Sequence, residues 1–589
     1  MKPNHNLIQV DQKHNDEIHN YSLKGVLWKQ NKLDTTKYNE IKDNLNLDSH
    51  VARLAAVRSI KSTDFLNYIN PKIKNILPDP FVLDDMEKAT NKIVHHIKNK
   101  KKIGILGDYD VDGASATALL CNYLSDIDVD FEFYIPDRIR EGYGPNVNAL
   151  INLKNKGCEL ILTLDCGTSA VNCIKEINKE NVDIIIVDHH LQSDVLPDAF
   201  AIINPQKKKD ISNLNNLCAT GVVFFLIVSI NRELRKDDYY KFKLPNLVKY
   251  LDLVALATIC DLVKLDTINR AFVKQGLKVL NKLKNTGIAA LVECSSVNQL
   301  LNEYHLGFVL GPRINAGGRV GDSKLGVNLL TSKNKTISLI LSNKLCSFND
   351  TRRAIETKVL SEAMNQINEN SEDIICVHGK DWHPGVLGIV AAKITEKYRR
   401  PSIVISEDSD NCSASCRSVK SFDIGAFIID SVNSGILISG GGHKMAGGFC
   451  IKKSKIKLFK DSMKEKFKKN KLDLIRSFEF EIPLSSVTNK FYNQLQEFAP
   501  FGMGNPKPKF LLKNCHIKYP KIVGDKHVSF FLADDYGNKI KCIYFNSTGT
   551  DMGSFIESER SFFGIVVSLL LNLWGGNESV EILVEDIIA

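Results

Sequence analysis

The sequence predicts an α/β protein: a domain built on a parallel sheet, a long helix leading to a second α/β domain, and a C-terminal β-barrel. Three observations carry this. From about Lys101 to His190, short apolar runs alternate with amphipathic stretches, the pattern of a mainly parallel sheet covered on both faces. Residues 335–370 have apolar positions at helical spacing and neither Pro nor Gly, so they read as one helix bridging two domains. From about Phe478, apolar and polar residues alternate, and HVSFFLAD and KIKCIYF flank a DYGN turn. That is hairpin chemistry, and it suggests a small barrel such as an OB-fold.

Each element follows in order. Residues 1–45 read as a loose tail with one apolar stretch, LKGVLW. KKIGILGD is a strand, ASATALLCNYLSDI a helix and VDFEFYIPD a strand. NVNALINLKNKG is a helix, CELILTLD a strand, SAVNCIKEINKE a helix and DIIIVDHH a strand. A helical region, LPNLVKYLDLVALATICDLV, comes after about sixty residues. Beyond the bridging helix, EDIICVHG, HPGVLGIVAAKITEKY and PSIVISED start the second α/β unit. The glycine-rich SGGGHKMAGG would let backbone approach a bound ligand closely and present His443, an ordinary glycine turn being the alternative, and the Lys-rich KLFKDSMKEKFKKNKLDLIR reads as a closing helix.

With 589 residues the chain is too long for one core, so two to four domains are expected. A net charge of +9 is compatible with a polyanionic partner and does not specify one. The 14 cysteines form no C-x-x-C pair, which fits a reducing compartment and thiols used as small apolar groups. The N-terminus is polar, unlike a signal or transit peptide, and the apolar runs are too short to span a bilayer. A cytoplasmic location without membrane contact is expected.

GDYDVDG places Asp108, Asp110 and Asp112 after the first strand. Asp165 ends CELILTLD, and Asp188, His189 and His190 end DIIIVDHH. One such aspartate is ordinarily a turn former or helix N-cap. Three strands delivering carboxylates and imidazoles to the ligand-binding edge of an α/β sheet are different. So many carboxylates in one volume cannot all ionise without a cation. An oxygen-rich set with imidazoles suits Mn²⁺ or Mg²⁺, and two ions bridged by one carboxylate, for which Asp165 is the candidate, form a clamp for attack on phosphorus. The residues therefore point to a metal-dependent phosphoester hydrolase, with the substrate open.

GDYDVDG, LDCG and VDHH resemble the signatures of the DHH phosphoesterase superfamily. PDRIREGYG, ATICDLV, GPRINAGGR, WHPGVLGIVA, SCRSVKSFDI, SGGGHKMAGG and FAPFGMGNPKPKF follow in the order of its bacterial single-stranded-DNA exonuclease branch, from about residue 50 onward. The resemblance implies a DHH domain over 46–334, the linking helix over 335–370, a DHHA1 domain over 371–475 and an OB-fold over 476–589. It implies Asp110, Asp112, Asp165, His189 and Asp261 as ligands of two Mn²⁺ or Mg²⁺ ions, with Asp108 close by. His190 would support the metals or contact phosphate, and Asp188 would support the site. Arg417 and Ser418 match residues associated with a 5′ phosphate. Arg313, Asn315 and Arg319 in the GPRINAGGR loop, and His443, are further candidates for substrate contact. His383 reads as structural at least as readily as functional. Phe530, Phe531, Tyr544 and Phe545 are available for stacking on the barrel, where about half of such aromatics belong to the core.

The implied activity is 5′ to 3′ degradation of single-stranded DNA to mononucleotides in recombination and repair. The implied partners are single-stranded DNA, a single-strand-binding protein and a RecQ-type helicase, and the chain is expected to be a monomer. Gly317, Cys416, Cys260 and Lys264 depart from the usual pattern, none of them at a ligand position, and Cys416 beside the expected phosphate site suggests sensitivity to thiol oxidation. Two other readings are another DHH phosphoesterase acting on oligoribonucleotides, cyclic dinucleotides or pyrophosphate, and a catalytically silent nucleic-acid scaffold. The intact acidic set argues against the second.

Overall fold

The computed structural model describes residues 21–138, 140–192, 194–368, 373–407, 410–467, 474–574 and 577–588. Residues 1–20 of the expected tail lie outside them. The chain forms two compact units, one of Asn70–Asn470 with Pro500–Asn505, the other of Met1–Ile69, Lys471–Ala499 and Pro506–Ala589.

The first half of the larger unit carries a five-stranded sheet of β1 (Ile103–Gly107), β2 (Phe131–Tyr134), β3 (Leu160–Leu164), β4 (Asp183–Val187) and β5 (Ala201–Ile203). Neighbours run β2-β1-β3-β4-β5, all parallel. Helices α1 (Val111–Asp126), α2 (Ala219–Leu234) and α3 (Leu251–Cys260) cover one face. There Leu119, Phe225 and Leu256 share a core with Leu162 and Ile185 of the sheet. Leu150, Leu153, Ile174 and Ile177 cover the other face. Because both faces are covered, β1 and β3 are buried along their whole length, which is why their sequences read as continuous apolar runs.

GPRINAGGR, expected as a loop, is helix α4 (Gly311–Val320). Pro312 stands in its first turn, where a missing N–H costs nothing, and the glycines are contact points: a Cβ on Gly318 would lie 3.0 Å from the Tyr109 ring. The linking helix α5 spans Lys335–Met364, ending before the expected residue 370. Cys294, at the end of helix Thr286–Cys294, faces Cys346 in α5, their Cα atoms 7.0 Å apart.

The second half of this unit is a mixed sheet of β6 (Ile375–Gly379), β7 (Ser402–Ser406), β8 (Asn411–Arg417), β9 (Ser439–His443) and β10 (Ala446–Lys452), ordered β9-β10-β8-β7-β6. Helix α6 (Pro384–Tyr398) follows β6. SGGGHKMAGG is a hairpin of two paired strands, with His443 at its turn. Its glycines let backbones meet: a Cβ on Gly442 would lie 2.6 Å from the Gly447 Cα.

The smaller unit corrects the expectation for residues 1–45. Val26–Gln30 is a strand paired in parallel with Leu474–Phe478, and Thr35–Leu45 is a helix capped by Asp34. Asp586, fully buried, accepts from Ser22 Oγ at 2.6 Å and Trp28 Nε1 at 2.9 Å. Residues 46–69, expected in the first domain, also belong here. The barrel strands are Phe480–Glu481, Phe510–Leu512, Gly564–Trp574, Asn577–Ile588, Lys539–Tyr544, His527–Ala533 and His516–Val523, in neighbour order. The expected hairpin is present, with Ala533 opposite Lys539. Of the four aromatics, Phe530 is core, Phe531 and Tyr544 are half-buried, and Phe545 is exposed. Among the described residues no helix is long and apolar enough to cross a membrane.

Candidate metal centre

The site grows from the ends of β1, β3 and β4. After β1, Asp108 is buried and Asp110 caps α1, accepting from Gly113 N at 3.0 Å. Gly113 is required, since a Cβ there would lie 2.6 Å from the Asp108 Cβ. Asp112, in the first turn of α1, is gripped by the start of α2. Its carboxylate accepts from Ala219 N at 2.6 Å, Thr220 N at 2.8 Å and Thr220 Oγ1 at 2.6 Å. Helix N-termini favour anions in this way.

Asp165, after β3, has φ of 63°, a left-handed conformation that non-glycine residues adopt at a cost. Its N–H donates to Val187 O, and its carbonyl accepts from Tyr143 Oη at 3.2 Å. After β4, Asp188 Oδ1 accepts from the His189 and His190 N–H groups and lies 2.7 Å from His190 Nδ1; its Oδ2 accepts from Thr168 N. Asp188 is therefore occupied in fixing the two histidines. His189 Nε2 lies 3.2 Å from Asp165 Oδ1 and 3.7 Å from Asp112 Oδ2, and its Nδ1 3.7 Å from Asp261 Oδ2. Asp261 itself terminates α3.

Among the described residues, potential ligand atoms fall into three sets, each within 4.8 Å: Asp108, Asp110 and Asp165; Asp112, His189 and Asp261; Asp165, His189 and His190. Asp165 and His189 each belong to two. Burial, then the charges of Asp112 and Asp110, push Asp261 up to about 8. Burial, then neighbouring aspartates, hold Asp165 and Asp108 well above the carboxylate range. Burial opposes charge on Asp188 and His190, but their mutual hydrogen bond outweighs it, holding Asp188 below the usual range and raising His190 to about 9. Asp165 Oδ1 is buried without a hydrogen bond, the nearby imidazole notwithstanding. A buried acceptor without a donor is rare, and an oxygen and imidazole set around one fits hard divalent cations. None of these sets includes a cysteine, and burial raises the pKa of the nearby Cys166, Cys218 and Cys260 thiols.

A second group lies at the junction of α4 with α6. Asn315 Oδ1 accepts from Val111 N at 3.1 Å, and Arg319 Nη1 donates to Gly385 O at 3.1 Å. Burial, then the charges of Arg138 and Arg352, lowers Arg319 to about 10. Arg417, lowered by burial and also by Arg138, passes Gly388 of α6, where a Cβ would lie 3.2 Å from Nη2. Arg138 sits 5.2 Å from the Tyr109 ring centroid. Like charges converging in this way call for an anion. The other candidates are placed differently. Ser418 is buried with its hydroxyl donating to Phe422 O at 2.7 Å, Arg313 donates to Val309 O at 2.8 Å, and His443 is exposed at the end of β9. His383 caps α6, its Nδ1 accepting from Gly385 N. Arg138 and Tyr143 were not singled out from sequence, although both lie in the PDRIREGYG motif. The grip of Thr220 on Asp112 had no sequence signal.

The DHH family N-terminal domain matches residues 102–258, the DHHA1 domain 356–469 and the RecJ OB domain 478–586. The single-stranded-DNA-specific exonuclease RecJ of Bacillus subtilis is 30% identical over 95% of this chain and 70% of its own. The chain belongs to the RecJ family. The Escherichia coli member is 30% identical over 91% of this chain and 95% of its own. The fold matches that of RecJ from Thermus thermophilus in complex with Mn²⁺, with a TM-score of 0.79 at 23% identity, covering 95% of this chain and 79% of the other.

Proposed function

We propose that this metal-dependent single-stranded-DNA exonuclease works from the 5′ end and releases mononucleotides. The observation that carries the reading is the convergence of Asp108, Asp110, Asp112, Asp165, His189 and Asp261 on one volume beside a cluster of arginines. Two divalent cations, Mn²⁺ or Mg²⁺, would be held by Asp110, Asp112, Asp165, His189 and Asp261, with Asp165 between them and Asp108 completing the acidic wall. When bound they supply activation of water and neutralisation of phosphoryl charge.

The chain's own residues do the rest. The α2 N-terminus fixes and aims the Asp112 carboxylate. Asp188 keeps a proton on the His190 imidazole, which faces the site as a cationic donor to phosphate. Arg138, Arg319 and Arg417 receive the terminal 5′ phosphate, Arg offering a planar fork of donors to phosphate oxygens. A terminal phosphate fixed beside the metal centre sets both polarity and product size. Action in recombination and repair in the cytoplasm, as a monomer alongside a single-strand-binding protein and a helicase, belongs to the same reading.

Incubation with Mn²⁺ and single-stranded DNA labelled at either end tests it. Mononucleotides released first from the 5′ end are expected, and digestion of the 3′ end first, or no digestion, overturns the reading.

A further inference from the structure

We propose that Tyr304 and Phe308 form a base-stacking platform for the strand on the 3′ side of the scissile phosphate. The inference rests on the nuclease reading above and extends it to how the strand leaves the metal centre.

The two rings are 59% and 71% exposed, yet they are ordered against each other, with centroids 5.2 Å apart and planes 23° from parallel. Single exposed apolar residues need no explanation. Two large rings stacked in water beside a substrate site do, since every base offers a π-face to such a surface. Phe308 lies in a π-helical turn, His305–Leu310, that runs directly into α4, and π-turns recur at functional sites.

The placement is specific. Along one line of this helix, Gly307 faces Ile259, the Cys260 Sγ donates to Leu306 O at 3.3 Å, and Gly318 faces the Tyr109 ring. That line packs on the end of α3, which carries Asp261, and on the turn that carries Asp108 and Asp110. Phe308 follows Gly307 and Arg319 follows Gly318, so both flank the line on the same side. Between them Asn315 touches Val111 of the metal-bearing turn. Arg319, Asn315, Phe308 and Tyr304 therefore succeed one another along one side of a continuous helix. A strand whose 5′ phosphate rests at Arg319 and whose scissile phosphate lies near Asn315 continues over Phe308 and Tyr304. At the helical rise these lie about 10 and 16 Å beyond Asn315, roughly three to five nucleotides of a stacked strand.

The test uses the full chain with Mn²⁺ and 5′-phosphorylated single strands carrying one abasic site at successive positions. Removing a base at one or two of the third to fifth positions beyond the scissile phosphate is expected to raise the wild-type KM about tenfold. In the Tyr304→Ala/Phe308→Ala variant, KM is already raised by a similar factor and base removal adds nothing. Phe308→Leu, which keeps apolar bulk without the ring, loses the base dependence as well, and Phe308→Trp restores it. The same base-removal penalty in the double variant as in the wild type, or a double variant with wild-type KM, overturns the platform. Binding of the same strands without metal, read by fluorescence anisotropy, separates the two readings. Ring-dependent binding without cleavage refutes the nuclease and leaves the platform, whereas cleavage without ring dependence refutes the platform alone.

Discussion

Loading the metal centre must displace protons, and the pH dependence of binding measures how many. In the metal-free protein, burial and the charges of Asp112 and Asp110 keep the Asp261 carboxyl protonated up to about 8. Asp165 and Asp108 are raised as well. A carboxylate binds a cation only when deprotonated, so each displaced proton makes the association constant rise tenfold per pH unit below that value. For Asp261 alone, Mn²⁺ should bind about 50-fold more tightly at pH 8 than at pH 6, about 2.3 kcal/mol. Stability of the metal-free protein runs the opposite way. A carboxyl raised in the folded state contributes stability that is complete below its unfolded pKa and lost as pH rises through 8. The melting temperature after EDTA treatment should therefore fall from pH 6 to 9, while the gain on adding Mn²⁺ grows. Titration calorimetry in two buffers of different ionisation enthalpy counts the protons directly. Asp261→Asn should remove one proton from the count and weaken Mn²⁺ binding at pH 8. A Mn²⁺ affinity independent of pH between 6 and 8, or binding without proton release, would show that the acidic cluster is not the binding site.

The remaining expectations follow from single contacts. Asp165→Ala should abolish cleavage with the melting temperature largely retained, and a nuclease still active in that variant would remove Asp165 from the centre. Thr220→Val deletes one of three donors that aim Asp112 and should weaken Mn²⁺ binding about 10- to 100-fold, the usual effect of losing such support; an unchanged calorimetric Kd would refute that role. Arg138→Ala should weaken binding to 5′-phosphorylated strands more than to 5′-hydroxyl strands, and equal losses in anisotropy titrations would count against a phosphate pocket. Asp252, buried and pushed up to about 6 by that burial, should cost the fold on the order of 3 kcal/mol above that pH. Asp252→Asn should accordingly raise the melting temperature at pH 7.5 and leave it unchanged near pH 4.

What was legible in the sequence was whatever a local pattern could carry. Continuous apolar strands and amphipathic helices specified the parallel sheet, and the acidic residues at three strand ends followed from it, because a strand end has a defined place in such a sheet. The long helix was legible because nothing in it breaks the helical period. GPRINAGGR failed for the opposite reason: by propensity three glycines and a proline argue against a helix. Packing decides instead, since Gly318 must pass the Tyr109 ring and Gly311 must pass Cys260. The N-terminal strand could not be read at all, because its partner, Leu474–Phe478, is distant along the chain, Val26 pairing with Leu474. The same limit applied within the centre. Asp112 could be named as a ligand, but not the α2 N-terminus that holds it, because residues 112 and 219 meet only once the sheet and its helices are assembled.

The arginines make the point sharper. Arg417 was legible only by resemblance, and Arg138 was passed over, since one arginine in a polar loop is ordinary. Their significance is collective: burial first, and then the charge of Arg138, lower both Arg319 and Arg417. A fold does not gain stability by gathering buried cations. Sites that carry such a cost are sites where an absent anion completes the arrangement, as an absent cation completes the acidic cluster beside it. Opposite charge deficits side by side, one asking for metal and one for phosphate, are what a polyanion threaded past a metal centre requires.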